Sequence, residues 1–279
     1  MTHQQTRKIR GAIALSLSAL AAFTGLFWLV FIIADVLRHG IGALTPSLFL
    51  EDPAPPGVEG GGLRNAFVGQ LLITGFGTLI GVPLGVLGGT FLAEYARGRK
   101  IARVISVLAD IMVSVPSIVI GTFVYAALVR PVGHFSGWAG AAALAVIMVP
   151  VVLRTTEDML SLVPWTLREA AFALGAPYYK VILQVVYRAA ATGILTGILL
   201  SIARVAGETA PLLFTSFNNS YYSLNMKEPM ASLTATIFQY AMGPYDSWHE
   251  QAWAAAFVIT VFILVLAITG RLIIRWRYK

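Results

Sequence analysis

The chain has no cysteine. Disulfides and thiolate metal sites are therefore excluded, and cysteine usage says nothing about the redox compartment. Charge is scarce as well: 12% of the 279 residues are charged, against about 25% in an average soluble domain. No glycine-rich run is followed by Lys-Ser or Lys-Thr. A Walker A loop, whose backbone amides would cradle nucleotide phosphates, is thus absent, and ATP hydrolysis by this chain is not expected. His134 and His249 stand alone in connecting segments. Neither a His/Asp metal set nor a Ser-His-Asp arrangement can be assembled around them, so no metal site and no intramembrane hydrolase is expected.

What the chain has instead is apolar sequence, 57% of its residues. That balance describes an integral membrane protein, whose apolar surface faces lipid as well as protein. Six segments read as spans: residues 11–34, 65–93, 111–129, 137–153, 189–216 and 251–270. A hydrocarbon core of about 30 Å takes around 20 helical residues, so most of these suffice and the fourth is marginal. Only helices and closed barrels satisfy their backbone groups in lipid. The predicted fold class is all-α, a polytopic membrane protein with six transmembrane helices. The first run, 24 residues long, exceeds the roughly 7–15 of a secretory h-region, which predicts a retained helix.

Basic residues give the orientation. With the N-terminus inside the cell, the inner side holds Arg7, Lys8, Arg10, Arg97, Arg99, Lys100, Arg103, Arg154, Arg168, Lys180, Arg188, Arg271, Arg275, Arg277 and Lys279. The outer side then holds Arg38, Arg64, Arg130 and Lys227, with Arg204 in the membrane. This asymmetry obeys the positive-inside rule and predicts a multi-pass protein with both termini cytoplasmic. It also accounts for the net charge of +7 as topology, without nucleic acid. Residues 1–64 read as a tail, a first helix and a Pro/Gly-rich outer loop, and residues 65–279 as the main transmembrane domain.

Residues 164–188 of that domain read PWTLREAAFALGAPYYKVILQVVYR. Thr166 and Glu169 have capping-box spacing. Leu167, Ala170, Ala171 and Leu174 recur at helical spacing and make one face apolar. Gly175 can take the left-handed conformation that ends a helix, and Pro177 can open the next. The expectation is two short helices joined by a tight bend, a shape for a soluble partner to grip.

Three features stand inside the membrane. Gly77, Gly81, Gly85 and Gly89 lie four apart in the second span, overlapping GxxxG motifs that suit close helix packing or a moving gate surface. Pro116, in SVPSIVIG, frees a carbonyl in the third span, and the Ser114 and Ser117 hydroxyls can re-satisfy such groups. Breaks of this kind serve structure or line a pathway. Arg204, in ARVAGETAPLLFT, lies about 22 Å along a helix counted from residue 189. A charge at that depth costs roughly 2.5–3.5 kcal/mol unless it faces a partner or water. Glu208, four residues on, is placed to pair with it, which leaves a structural ion pair and a substrate pathway as the two readings. A guanidinium suits an oxyanion, because its planar fork presents several donors. Arg154 sits at the inner end of the fourth span, where a snorkelling anchor is the plainer reading.

Glu169-Ala170-Ala171, three residues, then Gly175-Ala176 resembles the EAA loop of permeases of ATP-binding-cassette importers. SVPSIVIG, VVLRTTEDML, REAAFALGA and ARVAGETAPLLFT, in that order, narrow the resemblance to the permease subunits of phosphate importers, over most of the chain. The resemblance implies a type I importer permease fold in a bacterial cytoplasmic (inner) membrane. Implied partners are a second, homologous permease subunit, an ATPase dimer that uses ATP and Mg, and an extracytoplasmic phosphate-binding protein, with no cofactor in this chain. It further implies that Glu169, Ala170, Ala171 and Gly175 form a coupling helix that docks on the ATPase. Arg154 and Arg204 become candidate charges on the phosphate route, with Glu208 as counter-ion. The chain departs from the family at Tyr187-Arg188, where an Ile-x-Leu-Pro ending is usual. The expected function is half of the translocation pathway of an ATP-driven phosphate importer. The alternatives are a permease for another oxyanion, such as molybdate or sulfate, and an ion-driven carrier working alone.

Overall fold

Long uncharged runs leave the backbone only itself to bond with, and the computed structural model, which describes residues 3–277, is helical along each of them. Among the described residues, strand pairing is limited to one isolated bridge between Pro53 and Gly61. The main helices are α1 (His3–Gly42), α2 (Arg64–Thr90), α3 (Lys100–Ser114), α4 (Ser117–Val124), α5 (Gly137–Ser161) and α6 (Trp165–Ala173). They are followed by α7 (Tyr178–Ala206), α8 (Ala210–Thr215), α9 (Leu233–Ala241) and α10 (Asp246–Arg277). Five stretches are long and apolar enough to cross a membrane, and the bent pair Lys100–Ser114 with Ser117–Val132 makes a sixth when counted as one span. Of the cations that set the orientation, the side chains of Lys8, Arg271, Arg275, Arg277 and Lys279 lie outside the described residues.

Two expectations need correction, and two spans are interrupted. The fourth span is not marginal: α5 runs for 25 residues, because helical sequence continues through the polar RTTED segment beyond residue 153. The third span breaks at Pro116, where the sequence places an interruption; α3 and α4 meet at 104°. Val115 and Pro116 are both extended there, since a residue before proline is pushed out of the helical region and proline cannot donate to the preceding turn. The Ser114 hydroxyl donates to the Ile111 carbonyl at 2.7 Å, re-satisfying an acceptor at the break. The fifth span is likewise interrupted, α7 ending at Ala206 and α8 beginning at Ala210. Lastly, the helix after Gly175 is not short. From Tyr178 it continues through a π-turn at Val181–Val186 into α7 without interruption. No proline stands at 187–188 to stop it, and the Tyr187 hydroxyl instead meets that of Thr90 at 2.5 Å.

The centre of the bundle is the seam between α2 and α5. Gly77, Gly81, Gly85 and Gly89 are buried along it. A Cβ at Gly85 would stand 2.7 Å from Val152 Cβ, and one at Gly89 2.4 Å from the Leu153 carbonyl oxygen. Backbones approach this closely only where one side carries no side chain. Ile73, Leu144, Met148, Val152, Val205 and Leu212 fill the core around the seam. α1 behaves differently: Gly40, against Phe257 and Trp253 of α10, is the only residue of α1 buried among those described, and the rest of the helix presents apolar side chains outward. α9 is a short helix beside α10, with Tyr240 stacked on Trp248 at 4.6 Å and Phe238 exposed.

Candidate functional site

Two groups of functional candidates lie at different depths. In the first, α7 and α5 run antiparallel, with Gly193 on Met159 and Gly197 on Thr155. That register sets Arg154 about level with residue 198, so Arg204, six residues on, stands about 9 Å further along the pair. Arg204 lies three residues before the break at Gly207, and its side chain is 46% exposed. Its Nε is 3.9 Å from Glu208 Oε1, beyond hydrogen-bond length. The two are not on one helical face, as their spacing suggests, because Glu208 lies past the end of α7. Its carbonyl there accepts a 2.8 Å bond from the Thr234 hydroxyl of α9. Arg204 thus keeps most of its donors free beside a half-buried carboxylate.

Arg154 is held otherwise. Its guanidinium is 3.2 Å from Asp110 Oδ1 on α3 and donates to Glu157 Oε2 at 2.9 Å. The Ser106 hydroxyl also donates to Glu157, at 3.1 Å. Two carboxylates from two helices therefore neutralise Arg154 in this conformation. Among the described residues, no shared carboxylate links Arg154 to Arg204. Pro116, at the α3–α4 bend, and the glycine seam belong to neither charge cluster. The Arg154–Glu157 pair is legible in RTTED as an i, i+3 spacing. Asp110 is not, being 44 residues away on a separate helix.

The second group is the hairpin of α6 and the start of α7. α6 begins at Trp165 after Pro164, and no side chain caps it, so the Thr166–Glu169 capping box does not form. Pro164 already lacks the amide such a box would satisfy at its first position, and both side chains point to the exposed side. Gly175 does take the left-handed conformation, at φ +80°, and the Ala176 amide bonds back to the Ala171 carbonyl. Glu169, Ala170, Leu167 and Leu174 are exposed, Leu174 at 89%, and Ala171 is half-buried.

The buried side of α6 carries a residue that composition would leave in water. Arg168 is 1% exposed. Its Nη2 donates to Glu94 Oε1 at 2.6 Å and to the Leu160 carbonyl at 3.0 Å. Its Nη1 donates to the Val163 carbonyl at 2.5 Å, and its Nε lies 3.4 Å from Glu94 Oε2. Glu94 sits in the π-turn Phe91–Tyr95 that ends the second span. The Tyr178 hydroxyl closes the group by donating to the Glu94 carbonyl at 2.8 Å. Removing one partner of such a pair leaves the other charge buried, at a cost of roughly 3–5 kcal/mol. Sequence reading places Arg168 among the inner cations and does not pair it with Glu94. The one signal available was that Glu94 follows directly on a long uncharged run.

Known proteins match this geometry at two levels. The family model for the binding-protein-dependent transport system inner membrane component matches residues 81–277. The phosphate transport system permease protein PstA of Pasteurella multocida is 52% identical, over 97% of this chain and 96% of its own length. The protein of the same name from Haemophilus influenzae is 51% identical, over 95% and 94%. Among solved structures, an ABC transporter involved in import of the acidic polysaccharide alginate superposes with a TM-score of 0.64 at 13% identity, covering 99% of this chain and 100% of its own. The MetNI methionine ABC transporter, inward facing, gives 0.60 at 20% identity, covering 78% and 96%. At such identities these two establish the fold alone, the type I importer permease. The chain belongs to the binding-protein-dependent transport system inner membrane components, in the PstA group of permeases.

Proposed function

We propose that this chain is the membrane permease subunit of an ATP-driven importer of inorganic phosphate and supplies half of its translocation pathway. The observation that carries the reading is the identity of about half the residues, end to end, with permeases named for phosphate transport. The half-exposed Arg204 beside Glu208 at a helix break adds chemical support, since a guanidinium with free donors suits a phosphate oxygen. The chain is a multi-pass subunit of the bacterial cytoplasmic membrane with both termini inside. A second, homologous permease completes the pathway, and an extracytoplasmic binding protein delivers phosphate to it. An ATPase dimer, which uses ATP and Mg, grips the exposed face of α6 through Glu169, Ala170, Ala171 and Gly175, and this chain carries no cofactor of its own. Arg154 and Arg204 offset the dianion's charge as it passes, and modest attraction is the working regime, because tight binding would hinder release.

The test is reconstitution of the permease pair, ATPase and binding protein in liposomes, with radiolabelled phosphate outside. Expected is uptake that requires ATP and the binding protein and is not displaced by equal molybdate or sulfate. Equal competition by either anion would move the substrate to another oxyanion. Uptake by this chain alone without ATP would replace the reading with an ion-driven carrier.

A further inference from the structure

Resting on the importer reading above, we infer that Arg168 and Glu94 are positioning residues that make the coupling helix α6 move as one body with the inner ends of the second and fourth spans. The Arg168 side chain leaves the buried face of α6 and enters a site lined by the Leu160 carbonyl, in the last turn of α5, and the Val163 carbonyl, two residues past its end. Carbonyls at a helix end lack their helical donors and carry the negative end of the dipole, so a cation is favoured there. The same guanidinium holds the Glu94 carboxylate with two of its nitrogens. Pro164, at the start of α6, offers a further acceptor at 3.5 Å. One planar group thereby ties three elements with directional bonds, which an apolar contact, free to slide, would not do. Tyr178 and the Tyr187–Thr90 contact add ties between the start of α7 and the second span. A push on α6 therefore reaches α2 and α5 without slack, and the α2–α5 seam, closed at four glycines, carries it into the membrane.

The experiment uses the complete transporter in liposomes and reads ATP hydrolysed per phosphate imported. Buried ion pairs are often replaceable by apolar residues of similar size without loss of folding, so the informative variant is the pair Arg168→Met with Glu94→Leu. Expected is normal co-purification of the ATPase with at least a fivefold rise in ATP spent per phosphate. A wild-type ratio in the assembled double variant would overturn the inference and leave the pair a folding element. Should the double variant not assemble, Tyr178→Phe decides, since it removes a single hydroxyl; expected is about a twofold rise, and an unchanged ratio overturns the inference. A second measurement uses the absence of cysteine. Spin labels on Leu87→Cys in the second span and Thr166→Cys on α6, both exposed positions, should keep one narrow separation with and without ATP in an otherwise cysteine-free complex. A shift of several Å on nucleotide binding would overturn rigid coupling. Failure of the wild-type complex to import phosphate would instead strike the importer reading, so the two failures are distinguishable.

Discussion

At the scale of single residues, magnitudes separate the two readings of Arg204 and Glu208. An exposed pair contributes about 0.2–1 kcal/mol, and this one is spread to 3.9 Å with the arginine half exposed. Holding an arginine within a membrane segment costs roughly 2.5–3.5 kcal/mol. A structural ion pair of that strength does not offset the cost, which supports the pathway role proposed above. Glu208→Gln should accordingly leave thermal unfolding of the complex within about 1 kcal/mol of wild type. Arg204→Ala should assemble normally and lose phosphate uptake by about tenfold or more, since a hydrogen bond to a charged group contributes roughly 1.5–3 kcal/mol. Arg204→Lys should recover part of the uptake, keeping the charge without the fork. Uptake by Arg204→Ala at the wild-type rate would remove Arg204 from the route. Arg154 differs because Asp110 and Glu157 already engage it; it meets an anion only if one of those contacts opens.

At the scale of helices, the seam between α2 and α5 gives a graded test. Gly89→Ala would set a methyl 2.4 Å from a backbone oxygen, and overpacking of this kind costs typically about 1–3 kcal/mol. Gly75, on the same helix, has nothing within 4 Å of a built Cβ. Gly75→Ala should therefore be neutral or gain up to about 1 kcal/mol from helix propensity. Unfolding midpoints of the two variants should separate in that order, and equal midpoints would mean the seam is looser than described. The same comparison marks how far sequence reading reaches. The glycine spacing, the long uncharged runs and the left-handed Gly175 are local properties, and each appears in the structure where its residues stand. The break at Val115–Pro116 is legible from the proline itself, whereas the one at Gly207–Thr209 escapes hydropathy because the residues around it are mostly apolar or small. The burial of Arg168 escapes it for another reason: its carboxylate partner lies 74 residues away. No local pattern encodes that approach; the packing of the second span against the hairpin creates it.

At the scale of the whole molecule, the hairpin buries one arginine and leaves two leucines exposed. Arg168 is buried while Leu167 and Leu174 are exposed, at 41% and 89%. Burying a leucine fully contributes about 1.5–3 kcal/mol, so the isolated chain forgoes that gain at two positions of one short helix. In lipid such exposure would carry no penalty, but α6 lies beyond the inner ends of α5 and α2, next to basic residues. On the importer reading proposed above, water is the neighbour there, and a protein partner covers the face. Leu167→Asp and Leu174→Asp put charge on it without touching the Arg168 clasp. Surface substitutions away from core features usually change stability by no more than about 0.5 kcal/mol, so both variants should fold and insert normally. Capture of the ATPase subunits should nonetheless fall by about tenfold or more, and ATP-driven uptake with it. Undiminished capture by both variants would mean that the partner grips the molecule elsewhere. The exposed leucines would then need another cover, and the force path from α6 through Arg168 to the spans would have no input.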